Sequence, residues 1–436
     1  MNPASPQHKP SVAVIGGGIS GLTAAYTLRD HAHVTLFEAG DYVGGHTNTV
    51  DMDIDGVQVP VDTGFLVYNE RTYPNLIRLF EELQVETVKS DMSFSVCLPE
   101  INLEWAGTNL NTVFAQRRNL FRPRFIRMLL DILRFNKEAT ALVVNGDRST
   151  LFNGKGQMSL GDYLVTERYS AEFRDWYLVP MAAAIWSCPS EQMLAFPLAT
   201  FVQFCHNHGL LQVENRPSWF TVKNGARNYV QKILPHIPVV HTSTPVLEVH
   251  PGEKPWVRTA QGEQVFDHVI MAAHSDQCND MLRGNLAQKE LLSHIAYQDN
   301  VAYLHMDERL MPKTRSTWSS WNYLSDVLNP QPSVSVTYWS NNLQPLATQR
   351  DVFVTLNPII APRDELVARE IHYAHPVFDA PAVQAQSALQ ALQGLNNIYL
   401  AGAWMKYGFH EDGHTSGLNA ARALLSHLGQ GTLQAA

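Results

Sequence analysis

Two glycine-rich stretches and a dense polar cluster carry most of the chemistry legible in this chain. Gly16, Gly18 and Gly21 stand in the spacing Gly-x-Gly-x-x-Gly, between an apolar run, Val12-Ala13-Val14-Ile15, and a helix-forming run, Leu22–Leu28. At the first position glycine permits a tight turn. At the second it lets the backbone approach a pyrophosphate, and at the third it lets the helix pack closely on the strand. Ile19 and Ser20 open that helix, so their N–H groups and the positive dipole end face an anion. Glu38 follows Gly16 by 22 residues, at the end of a second predicted strand, His33–Glu38, with Ala39 next. A carboxylate there accepts hydrogen bonds from ribose hydroxyls and repels a 2′-phosphate, which disfavours NADP.

Near the other end, Ile398-Tyr399-Leu400-Ala401 runs into Gly402 and Ala403. Phe409-His410-Glu411-Asp412-Gly413-His414-Thr415-Ser416-Gly417 then leads into a predicted helix, Leu418–Leu425. This predicts a second strand, turn and helix N-terminus beside the first cradle. A nicotinamide site does not usually need a closing strand of this kind; an FAD site of the extended type does. The expected cofactor is therefore FAD, and with no cysteine near residue 373 or in the closing motif it is expected to be held noncovalently. His414 is expected over or beside the flavin face, with the N–H groups of Thr415, Ser416 and Gly417 aimed at its pyrimidine edge. His410 and Glu411 are the other catalytic candidates, weighed against simple helix capping by Asp412 or Ser416.

The elements that position these residues follow from periodicity. Residues 11–39 form a βαβ unit. Residues 40–75 are rich in Gly and Asp, with an alternating run at Val57–Val61. Residues 76–215 are predicted mostly helical, with Leu76–Leu83, Phe125–Phe135 and Gly161–Arg168 as helices. Alternation returns over 219–285, and strands are predicted at 300–306 and 333–339, then a helix over 383–393. The fold class is α/β: a Rossmann-like FAD-binding domain interleaved with an α+β substrate domain. The expected FAD-binding segments are 10–75, 216–288 and 394–428, the substrate segments 76–215 and 289–393, and the tails 1–9 and 429–436.

After Glu38, the run Gly44-Gly45-His46-Thr47-Asn48-Thr49 resembles the second glycine pair of the flavin-containing amine oxidase superfamily, which includes phytoene desaturases and protoporphyrinogen oxidases. The resemblance implies FAD contacts by Gly44, Gly45, His46 and Thr47, with His46 where an arginine is usual. Val61-Asp62-Thr63-Gly64-Phe65 resembles the Asp-x-Gly turn that passes near the flavin ring, which implicates Gly64 and Phe65. Thr244–Val249 and Val269–Ala273 are similar to the adenine-side strand pair, with Val246 and Ala272 at the adenine. Gly402 matches the closing motif, and Ala403 stands where an acid usually meets the ribityl chain. Tyr373 and His375 lie near the second position of the amine oxidases' aromatic cage. No N5-side lysine is evident beyond Lys223 and Lys406. The runs Gly44–Thr49 and Tyr407–Gly413 are similar to a bacterial FAD-type subgroup resembling the N-terminal region of plant cyclopropane fatty acid synthases. That implies a lipid substrate.

Composition bounds the rest. The 436 residues suit two domains, and 17% charged residues points to large buried surfaces or an apolar cavity. A net charge of −9 argues against nucleic acid. Met1–Pro10 has no signal-peptide core, no window approaches a membrane span, and Cys97, Cys188, Cys205 and Cys278 are too dispersed for a zinc site or disulfide framework. A cytoplasmic location is expected, with no metal. One segment departs from the whole: residues 113–134 hold six arginines and one acid among Phe, Leu and Ile, the composition of a segment lying on anionic membrane at its inner face. The alternative is a helix with a solvated basic face. The substrate expected is a lipid or other small molecule; a small amine, or an FAD-holding accessory role beside a lipid methyltransferase, stays open, as do the electron acceptor and oligomeric state.

Overall fold

The computed structural model describes residues 9–144, 158–186, 190–212, 215–325 and 334–429. Five parallel strands carry the glycine motif: β1 (Ser11–Ile15), β2 (His33–Phe37), β3 (Val239–His241), β4 (His268–Met271) and β5 (Ile398–Leu400). They lie in the order β3-β2-β1-β4-β5. The chain leaves β1 towards β2 on one side and later fills β4 on the other. A crevice therefore opens at the carboxyl ends beside β1, where open α/β sheets bind ligands. Gly16, Glu38, Ala272 and Gly402 all lie just past those ends.

Four helices matter for the site and its surroundings: α1 (Ile19–Leu28), α2 (Pro74–Glu82), α3 (Pro123–Val144) and α4 (His410–His427). Val12 and Val14 of β1 face a core shared with α1, α2 and α4. Ala13 and Ile15 face a second core shared with the helix Ala380–Ala391. Burial on both faces is why β1 is an unbroken apolar run. Each fully buried leucine of the first core, such as Leu22, contributes about 1.5–3 kcal/mol.

A seven-stranded sheet stands across the crevice. Its order is Val367–Pro376, Tyr297–His305, Phe353–Leu356, Val334–Trp339, Trp321–Ser325, Phe94–Leu98, Leu103–Ala106. All neighbours are antiparallel except Trp321–Ser325 against Phe94–Leu98. Within 76–215, expected to be mostly helical, three strands intervene at Thr87–Ser90, Phe94–Leu98 and Leu103–Ala106. The core boundaries do not fall at 75/76 and 393/394. α2 buries Leu76, Leu79 and Phe80 in the nucleotide-side core, and Ala380–Ala391 packs on the other face of the parallel sheet.

The largest correction concerns the last helix. It starts at His410, not after Gly417. Gly413 and Gly417 do not turn the chain; they let α4 touch α1. A Cβ on Gly417 would lie 2.1 Å from the carbonyl oxygen of Ser20, and one on Gly413 would lie 2.7 Å from Ile19 Cγ2. Among the described residues no helix is long and apolar enough to cross a membrane.

Candidate active site

A cavity of about 730 Å³ runs from the carboxyl ends of the parallel strands to the inner face of the seven-stranded sheet. Gly16, Gly18, Ile19, Ser20, Glu38, Ala39, Gly44, Gly45, His46, Gly64, Phe65, Val246, Ala272, Gly402, Ala403 and His410 all line it. Gly21, Thr47, Glu411, His414 and Thr415 do not.

The three motif glycines serve three ends. Gly16 has φ +104°, and a Cβ there would stand 2.7 Å from the carbonyl oxygen of Ala272. A Cβ on Gly21 would collide with the carbonyl oxygen of Gly16 at 1.9 Å. Gly18 differs: its φ is −72°, open to any residue, and its Cβ would meet nothing within 4 Å. That empty space is what a pyrophosphate needs. Gly44 and Gly45 fold over the cradle at φ +145° and +57°, and the Gly44 N–H donates to the Gly17 carbonyl at 2.9 Å. Glu38 is held at the wall by the N–H groups of Gly17 and Gly40, each at 2.7 Å. Ala272 lies against Gly16, and Val246, Gly64, Phe65, Gly402 and Ala403 complete the lining. The cradle fits a dinucleotide as long as FAD.

His46 is half-buried in the cavity wall, with its ring stacked on Tyr373 at 4.8 Å. His375 lies 5.3 Å away and His274 6.5 Å. Burial first, then these neighbouring imidazoles and His410, hold its pKa well below the usual histidine range. His46 is therefore neutral, and its Nε2 is buried without a hydrogen-bond partner. It does not supply the positive charge of the arginine it replaces. Tyr373 and His375 share one face of their strand, as alternate residues must. Tyr373 Oη is hydrogen-bonded with Thr63 Oγ1 at 2.9 Å, and His375 Nδ1 lies 3.1 Å from Asn300 Nδ2.

The cluster at the start of α4 divides into separate roles. His410 faces the cavity and stacks on Phe65, centroids 3.8 Å apart. Its Nε2 lies 2.7 Å from Tyr229 Oη, which in turn meets Thr47 Oγ1 at 2.5 Å. Burial pushes the His410 pKa down to about 3, so it is neutral. Glu411 turns the other way and caps α2, accepting from the N–H groups of Asn75 at 3.0 Å and Leu76 at 2.9 Å. Asp412 accepts from the Phe409 N–H at 3.1 Å and so caps α4 itself. His414 sits one turn further, buried beside Arg422, with Nδ1 unpartnered. Thr415 meets Asn75 at 3.1 Å. The N–H groups of Thr415, Ser416 and Gly417 lie inside the helix, where the helical ladder uses them. Of the three candidates, His410 is the one that lines the cavity, while His414 and Glu411 lie behind its wall.

Three comparisons bear on this geometry. The family model described as "Flavin containing amine oxidoreductase" matches residues 19–425. The chain belongs to that family. The family is one of FAD-dependent oxidoreductases, and FAD is the cofactor of this flavoprotein. The flavin-containing amine oxidase A of Sus scrofa is 41% identical over 88 residues, 20% of this chain and 16% of that protein. The match thus spans a small part of that curated relative's length. Cyclohexylamine oxidase from Brevibacterium oxydans IH-35A shares the fold at a TM-score of 0.68 and 16% identity, covering 97% of this chain and 100% of that one. A CLA-producing fatty acid isomerase from P. acnes does so at 0.67 and 14%, covering 97% and 99%.

Within this family the flavoprotein has its own features. Lys223 pairs with Glu86 and Lys406 with Asp412, and no described lysine lines the main cavity. Cys97, Cys205 and Cys278 are free and buried away from it; Cys188 lies outside the described residues. No group of acidic, histidine or cysteine side chains among the described residues could hold a metal. Sequence reasoning missed most of the wall opposite the cradle: Met92, Ile185, Trp186, Phe204, His208, Trp219, Trp321, Tyr338 and Leu356. No motif marks them. Only the low share of charged residues hinted at so apolar a wall. Asp62, the acid of the Asp-x-Gly turn, does not line the cavity. It is buried and ties together the Ala226 N–H at 2.9 Å, Thr49 Oγ1 at 2.5 Å and Gln344 Nε2 at 2.6 Å.

Proposed function

We propose that this flavoprotein oxidises a fatty acyl chain, free or within a phospholipid. The observation that carries the reading is the character of the wall facing the cradle. Leu66, Val67, Met92, Trp186, Trp219, Trp321, Val354 and Leu356 line it, and the carboxylates among the described lining residues are Glu38 and Asp280. Glu38 belongs to the nucleotide end, and Asp280 is exposed on the helix that follows β4. A cationic amine would meet no counter-charge along this wall, whereas an alkyl chain loses water against it at about 25 cal/mol per Å². The fold serves both a cyclohexylamine oxidase and a fatty acid isomerase, so the lining, not the fold, separates the two readings.

FAD, when bound, accepts a hydride equivalent. The chain's own residues hold the acyl carbons dry beside it and take up the proton that desaturation releases. His410 is the group placed to receive that proton and pass it on, because it lies in the cavity wall and is linked through Tyr229 to Thr47, while burial disfavours its staying charged. His208, 3.9 Å from Phe204 in a stacked pair, is a further polar group on the apolar side.

The test is anaerobic mixing of the purified yellow protein with fatty acids and phospholipids of defined chain length, and in parallel with small amines. Bleaching of the flavin by acyl compounds alone is expected. Bleaching by amines alone would overturn the substrate class. A flavin bleached by neither would favour an FAD-holding accessory to another lipid enzyme.

A further inference from the structure

The basic segment that composition singled out has a definite place. It comprises the end of the helix Leu110–Val113, a 3₁₀ turn at Arg117–Phe121, and the first half of α3. α3 buries Phe125, Met128, Phe135 and Ala139 against the body of the protein. An ordinary surface helix would present polar residues on the opposite side. Here the outward side also carries apolar groups. Phe121 is 86% exposed, Leu130 61%, Leu133 55% and Leu120 46%. Leu130 and Leu133 fall between Arg127 and Lys137 along the helix, and Phe121 and Leu120 follow closely on Arg117 and Arg118.

The cations around these groups are largely uncommitted. Arg117 and Arg127 make no ion pair among the described residues, and Arg118 bonds only Gln116 and the Asn102 carbonyl. Arg124 pairs with Glu172, a carboxylate that is itself nearly buried. Arg122 lies over the Trp176 ring at 4.9 Å, with Arg124 at 5.3 Å on the same ring. In a chain of net charge −9, five outward cations, Arg117, Arg118, Arg124, Arg127 and Lys137, therefore ring a set of unburied apolar side chains. Apolar groups alone would suit any hydrophobic cover. The ring of cations selects one that is negative at its surface and apolar beneath.

We infer that this face, from the turn at 117–121 along the outer side of α3, docks the protein on an anionic lipid bilayer. Phe121, Leu120, Leu130 and Leu133 enter the acyl boundary, while the arginines meet phosphate headgroups, for which the guanidinium is suited. Docking stands on this surface alone and does not depend on the substrate proposed above. Binding is read without turnover.

The experiment is flotation of the FAD-loaded protein with vesicles of phosphatidylcholine, with or without about 30% phosphatidylglycerol, at low and high salt. Co-flotation with the anionic vesicles at low salt is expected, with loss at high salt as the surface charge is screened. Replacing Arg117, Arg118, Arg124 and Arg127 with Gln should weaken binding by about fivefold per residue that sits at the surface. Phe121→Ser with Leu130→Ser should also release the protein, while flavin absorbance and melting temperature stay at wild-type values. Wild-type protein that ignores anionic vesicles at low salt overturns the inference, as does unchanged binding by the glutamine variant. A lipid-free dimer abolished by the two serine substitutions would show that a second copy covers the face, and would overturn it too.

Discussion

Single glycines show how one residue type serves different physical ends. Gly16 is required by its positive φ and Gly21 by collision, but Gly18 is required by neither: its backbone suits any residue, and its missing side chain leaves room for the cofactor. Gly18→Val should therefore fold with a near-normal apo melting temperature yet purify colourless. A yellow variant would mean that the pyrophosphate lies elsewhere. Adjacent histidines divide in a similar way. His410 faces the cavity while His414 lies buried one turn away. His410→Ala should slow substrate-driven flavin reduction by roughly 10²-fold or more, the usual range for a lost proton acceptor. His410→Phe keeps the stack on Phe65 and should be as slow if the imidazole takes the proton, but fast if only shape counts. His414→Ala should stay near the wild-type rate. Stopped-flow traces of the three variants decide between these outcomes. The sequence could not separate the two histidines, because a glycine between them signals a turn and a close helix contact equally well. In this chain the contact prevails: Gly413 and Gly417 seat α4 on α1.

β1, β2 and β5 of the nucleotide sheet were legible because each is an apolar run ending at glycine or an acid, and β1 and β5 lie within about a residue of their predicted spans. The strands Phe94–Leu98 and Leu103–Ala106 were not. Phe94–Leu98 pairs with Trp321–Ser325, more than 200 residues away, and local periodicity does not report pairing at that range; Leu103–Ala106 pairs only with Phe94–Leu98, at the edge of the sheet. α2 teaches the same lesson about a cap. Tyr73 gives no side-chain cap, and the orphan N–H groups of Asn75 and Leu76 are met by Glu411, from the other end of the chain. Burial pushes the Glu411 pKa up, though the N–H groups it accepts from pull the other way. Glu411→Ala should cost about 1–2 kcal/mol, as a lost N-cap does, and leave the flavin reduction rate unchanged. A large loss of rate with unchanged stability would return Glu411 to the reaction.

The whole molecule keeps six imidazoles neutral in its core or cavity wall, and the sign of their effect can be worked out. The pKa is pushed down to about 4 for His208, His305, His375 and His414, to about 3 for His410, and well below normal for His46, in every case by burial first. Unfolded, each would titrate near pH 6.5. Between the two values the unfolded chain binds more protons, so stability rises with pH and is lost as pH falls below 6.5. One such histidine accounts for about 2 kcal/mol of loss at pH 5. Asp62 works against this. Burial raises its pKa to about 7, so its protonation favours the folded state on acidification and offsets about one histidine of the six. The balance is acid lability, with melting temperature falling between pH 7 and pH 5. His414→Leu removes one imidazole whose Nδ1 has no partner to lose, and should flatten that fall by about 2 kcal/mol without bleaching the protein. Melting curves of wild type and variant at the two pH values test it. A wild-type curve that does not move would mean that the histidines stay charged inside the fold, and a variant that falls as steeply as wild type would place His414 in contact with water.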